Sequence, residues 1–216
     1  MGVYYFLMAI QTPVRTEYLP QAAADIAFLL PRRKFTREEY SRLVESGILG
    51  ENERVELIEG DIIQMAPVNP EHVTETLGLY ERIRRLFGKG YLVRIQSPLS
   101  LGESEPEPDI AVVRGKLIDY RHTHPTTAVL VIEVAHTSLQ YDREVKTGVY
   151  AKANIPEYWI IDLEHRRLEV YREPIESADA PFGYTYRLRL VLQPGDTIAP
   201  LEKPNHPIKV ARLFVV

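Results

Sequence analysis

The chain of 216 residues contains no cysteine. That excludes disulfides, thiolate nucleophiles and cysteine-ligated zinc, and leaves oxygen or histidine to hold any metal. It also lacks an apolar run near the roughly 20 residues that a membrane-spanning helix requires. The opening MGVYYFLMAI is apolar, but no basic segment precedes it and no small-residue cleavage site follows. A secretory signal is therefore not expected, Met8 is a candidate start, and a cytoplasmic protein is the expectation. A basic surplus is missing as well. The formal net charge is −4, whereas nucleic-acid-binding chains usually advertise themselves by a basic balance or stripe. What is present, 45% hydrophobic and 26% charged residues, suits a folded globular chain and excludes a disordered one. The length accommodates one domain, expected over residues 35–216, with 1–34 as an extension holding one short helix around QAAADIAFLL.

Punctuation along the chain divides it into elements. Thr36 with Glu39 three residues later forms a capping box, and Tyr40, Leu43 and Val44 give a helical stripe that stops at Gly47. Arg54 to Met65 alternates about Glu59-Gly60-Asp61 and predicts a hairpin, in which Glu56 alone would read as a solvated strand residue. Glu71 to Phe87 predicts a long amphipathic helix with Val73, Leu77, Tyr80, Ile83 and Phe87 toward the core. On another side Arg82, Arg85 and Lys89 make a basic stripe that could track phosphates, or simply be a solvated face. His72 near the start of this helix could reach a site, though a lone histidine is more often a capping or packing residue. Tyr91 to Leu101 is strand-like and would set Gln96 beside Asp109. The pair His122 and His124 lies in a polar loop with no third ligand nearby. Strands are predicted at 157–162, 168–172 and 184–192, with Trp159 buried.

The centre of the chain carries the chemistry. Asp109 opens the run IAVV, which is nearly continuous in β-branched and small residues and so reads as a strand buried on both faces. Glu133 lies inside VLVIEVA, where a carboxylate is costly unless a metal, a lysine or an arginine neutralises it. A helix from Tyr141 to Ala153 follows, stopped by Asn154-Ile155-Pro156, with Val145, Val149 and Ala153 as its packing stripe and Asp142 and Lys146 beside it. A helix entered directly from a strand end packs back over the sheet, so Lys146 can overhang Glu133. The residues alone admit two readings: a carboxylate metal site with a cationic helper, or a buried ion-pair network in which Lys146 bridges Asp109 and Glu133.

The series TREEYSRLVESGIL, ERVELIEGDIIQMAP, PEPDIAVV, VIEV, YDREVKTGVYAKANIPEYWIID and GDTIAPLEKPNHPIKVARLF resembles the Uma2 family from about Phe35 to the C-terminus. That resemblance implies an α/β (α+β) restriction-endonuclease-like fold, a mixed central sheet flanked by helices, and PD-(D/E)xK nuclease chemistry. It makes Asp109 the PD aspartate, Glu133 the second metal-binding acid and Glu56 the upstream glutamate. The usual lysine position is Ala135 here, and Lys146 matches the place to which the family moves that amine. His136-Thr137 stands where the family tends to have Ser-Pro. The implied cofactor is Mg²⁺, with Mn²⁺ as a substitute, since hard oxygen ligands suit both. The implied partner is nucleic acid, DNA foremost, cut by a homodimer. Two alternatives use the same residues: a non-catalytic binding or structural module, and a metal-dependent hydrolase of small phosphate esters.

Overall fold

The structure, a computed structural model, describes residues 32–50, 53–67 and 69–215. The predicted N-terminal helix and the question of Met8 lie outside those residues. The compact unit that carries every feature below is Lys34–Val216. Among the described residues no helix is long and apolar enough to cross a membrane.

Six strands form the central sheet: β3 (Tyr91–Ile95), β4 (Ile110–Arg114), β5 (Leu130–Ala135), β6 (Glu157–Asp162), β7 (Arg167–Glu176) and β8 (Tyr184–Leu192). They lie side by side in chain order. All neighbours run antiparallel except β5 and β6, which are parallel and therefore need a crossover. Helix α3 supplies it, in three successive stretches: Leu139–Tyr141, a π-helical Asp142–Lys146, and Thr147–Lys152. Asn154 ends it in the left-handed conformation, φ 55°, that its short polar side chain tolerates.

Strand periodicity sorts the core into two layers. Ile110, Val112, Leu130, Ile132, Val134, Trp159 and Ile161 pack on one face with Leu79, Ile83 and Phe87 of α2 (Pro70–Phe87). Ala111, Val113, Val131, Ala135, Tyr158 and Ile160 pack on the other with Val149, Tyr150 and Ala151 of α3. The parity that sends Ile132 and Val134 toward α2 sends Glu133 toward α3. Each aliphatic side chain removed from water here is worth about 1.5–3 kcal/mol. Burying Glu133 draws on that.

One prediction about a helix face is corrected. In α2 the buried positions are Thr76, Leu79, Ile83 and Phe87, while Val73 and Leu77 are exposed. The packed stripe runs 72-76-79-83-87, and His72 begins it, because its ring is engaged at the sheet edge; Val73 and Leu77 lie one position, about 100°, off that stripe. In α3 the predicted stripe packs on the core, Val149 buried and Val145 and Ala153 partly so, and Asp142, Lys146 and Tyr150 beside it are buried as well.

The remaining elements attach to the sheet. Helix α1 (Arg37–Glu45) begins with the predicted capping box of Thr36 and Glu39. A separate hairpin, β1 (Val55–Ile58) and β2 (Asp61–Gln64), turns at Glu59 and Gly60, both at positive φ as a type I′ turn requires. The Glu105 N–H donates to the Leu57 carbonyl at 2.7 Å and ties β1 to the loop that leads into β4. Two short strands, β9 (Thr197–Ile198) and β10 (Ile208–Lys209), complete the chain. The loop holding His122 and His124 is exposed.

Gly148 in α3 is where the crossover meets the segment before β8. A Cβ built there would fall 2.7 Å from the Pro181 carbonyl oxygen and 3.2 Å from the Phe182 ring. Backbone cannot swing aside as a flexible side chain can. Gly148→Ala is expected to destabilise the protein by about 1–3 kcal/mol in urea denaturation; an unchanged midpoint would show that the contact is slack.

Candidate active site

The three acids and the lysine singled out by sequence converge on one cleft of about 490 Å³ at one end of the sheet. Lys146 is its centre. The Nζ donates to Glu56 Oε2 at 2.6 Å and lies 3.3 Å from Glu133 Oε1. The π-helical stretch is what lets a helix deliver it. The Thr147 N–H bonds the Asp142 carbonyl, five residues back, so the turn is widened, and side chains four apart align better than in a regular helix. Asp142, Lys146 and Tyr150 thereby share the buried face, and the Tyr150 hydroxyl donates to Glu133 Oε1 at 2.7 Å.

Asp109 is held differently. Its Oδ2 accepts from the Val134 N–H at 2.8 Å and stands 3.2 Å from His72 Nε2, while Gln96 Nε2 donates to Oδ1 at 3.4 Å. The Asp109 N–H in turn donates to Glu133 Oε2 at 3.0 Å. Glu56, which reads as solvated from its strand alone, is 2% exposed; the Tyr141 hydroxyl and the Glu107 N–H donate to it at 3.0 and 3.1 Å. The ion-pair reading is thus redrawn: Lys146 bridges Glu56 and Glu133, and Asp109 takes His72 as its neighbour.

Charge in the cleft is unbalanced. Glu56, Glu107, Asp109, Glu133 and Asp142 line it against Lys146, Arg54 and two histidines, His72 and His136. Burial pushes the Glu133 carboxyl up to about 7, Lys146 opposing and Asp109 assisting. Burial, followed by the Glu133 charge, raises Asp142 well above the aspartate range, and burial raises Glu107. Burial alone would lower the Lys146 amine, but Glu133 and Glu56 more than offset it, so the group stays a firmly held ammonium. For His72, burial works downward and the bond and charge of Asp109 prevail upward.

Among the described residues no three His, Asp or Glu side chains form a ready metal cage. The donor chemistry nevertheless fits a hard divalent cation. The acids outnumber the cations around them, and carboxylate oxygens are the donors such an ion takes.

His72, which the sequence allows to reach a site, does so at Asp109; residues not anticipated as parts of the site are Tyr141, Asp142, Tyr150 and Glu107. Asp142 and Tyr150 do carry a signal, their spacing of four from Lys146 on either side. Gln96 lies beside Asp109 as expected, at positive φ, 41°. Arg82, Arg85 and Lys89 are not brought to the acids. They lie ten to seventeen residues beyond His72, roughly 15–25 Å at 1.5 Å per helical residue. Arg85 there faces Glu81 at 3.5 Å, and Arg82 lines a shallow groove with Arg212 and Phe214.

Glu133 makes stability depend on pH in a defined direction. Between its ordinary 4.5 and about 7 the folded protein keeps a proton there that the unfolded chain has released, so stability falls as pH rises through that window. The loss is on the order of a few kcal/mol. Urea denaturation in EDTA from pH 5 to 8 should show it in the parent and a flatter profile in Glu133→Gln; equal slopes would exclude Glu133 as the source.

No curated protein matches the chain. A solved structure that it does match is a crystal structure described as a "putative nuclease belonging to DUF820", from Anabaena variabilis ATCC 29413. The two share 17% identity with a TM-score of 0.62, over 83% of this chain and 97% of that one. At that identity the likeness establishes fold, and the fold is restriction-endonuclease-like. A family model described as "Uma2: Putative restriction endonuclease" matches residues 37–204. The family's description supports a nuclease, and over that span the chain belongs to the Uma2 family.

Proposed function

We propose that the chain is a divalent-cation-dependent endonuclease that hydrolyses phosphodiester bonds, DNA foremost, in the cleft around Lys146. One observation carries this reading. A buried ammonium is held between two carboxylates beside a third, in a cleft whose acids exceed its cations.

Asp109 and Glu133 would hold the cation, with Glu56 behind them. When bound, Mg²⁺ or Mn²⁺ supplies Lewis acidity, neutralising phosphoryl oxygens and lowering the pKa of water. The protein's own groups do the rest. Lys146, kept charged by Glu56 and Glu133, presents a fixed positive charge to the phosphoryl oxygens as negative charge builds there. Those two carboxylates hold the proton on Lys146, so it serves as a charge rather than as a base toward water. Asp142, whose Oδ2 lies 2.8 Å from Ser138 Oγ, has a raised proton affinity and can protonate the departing oxygen. Tyr150, His72 and the Val134 N–H fix the orientation of Glu133 and Asp109, so little reorganisation is needed during the reaction.

The test is cleavage of supercoiled plasmid, single-stranded DNA and RNA with Mg²⁺, Mn²⁺ or EDTA, alongside bis(p-nitrophenyl) phosphate as a small ester. Metal-dependent cutting should fall at least about 10²-fold in Asp109→Asn and in Lys146→Ala. Asp109→Asn preserves shape and so guards against loss of the fold, which Lys146→Ala endangers by stranding two buried carboxylates. Turnover of the small ester alone would replace the nuclease by a phosphate-ester hydrolase. No turnover in a folded parent that also binds no Mn²⁺ would leave the cluster a structural ion pair.

A further inference from the structure

An acidic cleft repels the polyanion it is meant to cut, so positive charge is needed beside it. The α2 stripe is too far along the helix. Nearer lies a second cluster, on the α3 side of β6, β7 and β8. Glu169 and Asp162 are both fully buried. Glu169 accepts from Arg143, from Arg189 at 2.9 Å and from the Tyr171 hydroxyl at 2.8 Å. Asp162 accepts from Arg167 Nε at 2.9 Å, and Arg143 Nη2 lies 3.7 Å away. His165 also meets Asp162, at 3.0 Å.

Three features separate this cluster from an ordinary ion pair. First, three guanidiniums face two carboxylates, leaving a net positive charge. The contrast is Glu157 and Arg172 nearby, a one-to-one pair closed further by Trp159 and the Leu201 N–H, with Arg172 only 15% exposed. Second, Arg143, Arg167 and Arg189 reach solvent, with 28%, 27% and 49% of the side chain exposed. A guanidinium has five N–H donors, and the bonds to Glu169 and Asp162 engage only part of each set. Third, the cluster adjoins the cleft: Arg143 follows Asp142 in the π-helical turn, and Asp162 pairs in register with Ala135, whose neighbour His136 lines the cleft.

We infer that Arg143, Arg167 and Arg189, ordered by the buried Asp162 and Glu169, are the surface that takes the phosphate backbone flanking the scissile bond. The inference rests on the nuclease reading for its choice of polyanion. The buried acids hold the arginines extended before binding, so less side-chain freedom is lost when phosphates arrive. Planar guanidiniums suit phosphate oxygens by bidentate bonding and carry no base readout, so the surface is indifferent to sequence.

Binding of fluorescein-labelled single- and double-stranded DNA, read by anisotropy in EDTA so that nothing is cut, tests this between about 50 and 200 mM salt. Arg189→Gln should weaken binding equally on unrelated sequences and lower the slope of log K against log salt by about 1. Arg189→Lys should restore the slope while lacking the fork that serves Glu169, and the melting temperature of Arg189→Gln should stay near the parent's. The double variant Arg82→Gln, Arg85→Gln should bind as the parent does. Parent-like affinity and slope in Arg189→Gln would overturn the assignment, as would a parent that binds neither strand form. The two proposals fail separately: DNA binding that needs Arg189 in a protein that never cuts removes only the nuclease, and cutting that needs Asp109 but ignores Arg189 removes only this surface.

Discussion

One buried ammonium organises the functional end of this protein. Lys146 has been taken almost wholly out of water, which is affordable only because Glu56 and Glu133 meet it at 2.6 and 3.3 Å. Each of those acids is itself buried, and each is stranded if the lysine is removed. The β1 hairpin, far upstream, is therefore bound with β5 and α3 to one electrostatic solution. The hairpin is a separate two-stranded sheet whose Ile58 and Ile63 pack into the α3-side core, and from it Glu56 reaches Lys146.

The same requirement explains the unusual backbone of α3. In the PD-(D/E)xK pattern the amine comes from the strand, two residues after the acid, and here that position is Ala135, packed in the core. Delivering the amine from the overlying helix demands that Lys146 share a face with the tyrosine that orients Glu133. The wider π-helical turn does this for Asp142, Lys146 and Tyr150. A π turn costs hydrogen-bond geometry compared with a regular helix, and the paired ammonium and the packed tyrosine offset that cost.

Charge is segregated rather than balanced locally. The cleft gathers carboxylates beyond what Lys146, Arg54 and the histidines neutralise, while Arg143, Arg167 and Arg189 exceed the acids beneath them a few residues away. A net charge of −4 for the whole chain conceals both. A sum over the sequence carries no information about fields that fall off within a Debye length of roughly 8–10 Å.

Local rules determined much of this molecule from the sequence: the capping box at Thr36, the hairpin at Glu59-Gly60, the doubly buried IAVV and VLVIEVA strands, the stop at Asn154. These depend on a residue and its near neighbours, so periodicity and punctuation suffice. Family resemblance added Asp109, Glu133, Glu56 and Lys146 as a set, and the fold brings that set together. The sequence misled where the deciding neighbour is remote. Val73 and Leu77 look like core positions until His72 is drawn to Asp109, 37 residues away, and rotates the stripe. Glu56 looks solvated until Lys146, 90 residues on, reaches it. Which acid pairs with which base, and which arginines stand beside the cleft, was left to tertiary structure, because burial and Coulomb energy depend on distance in space and not on separation along the chain.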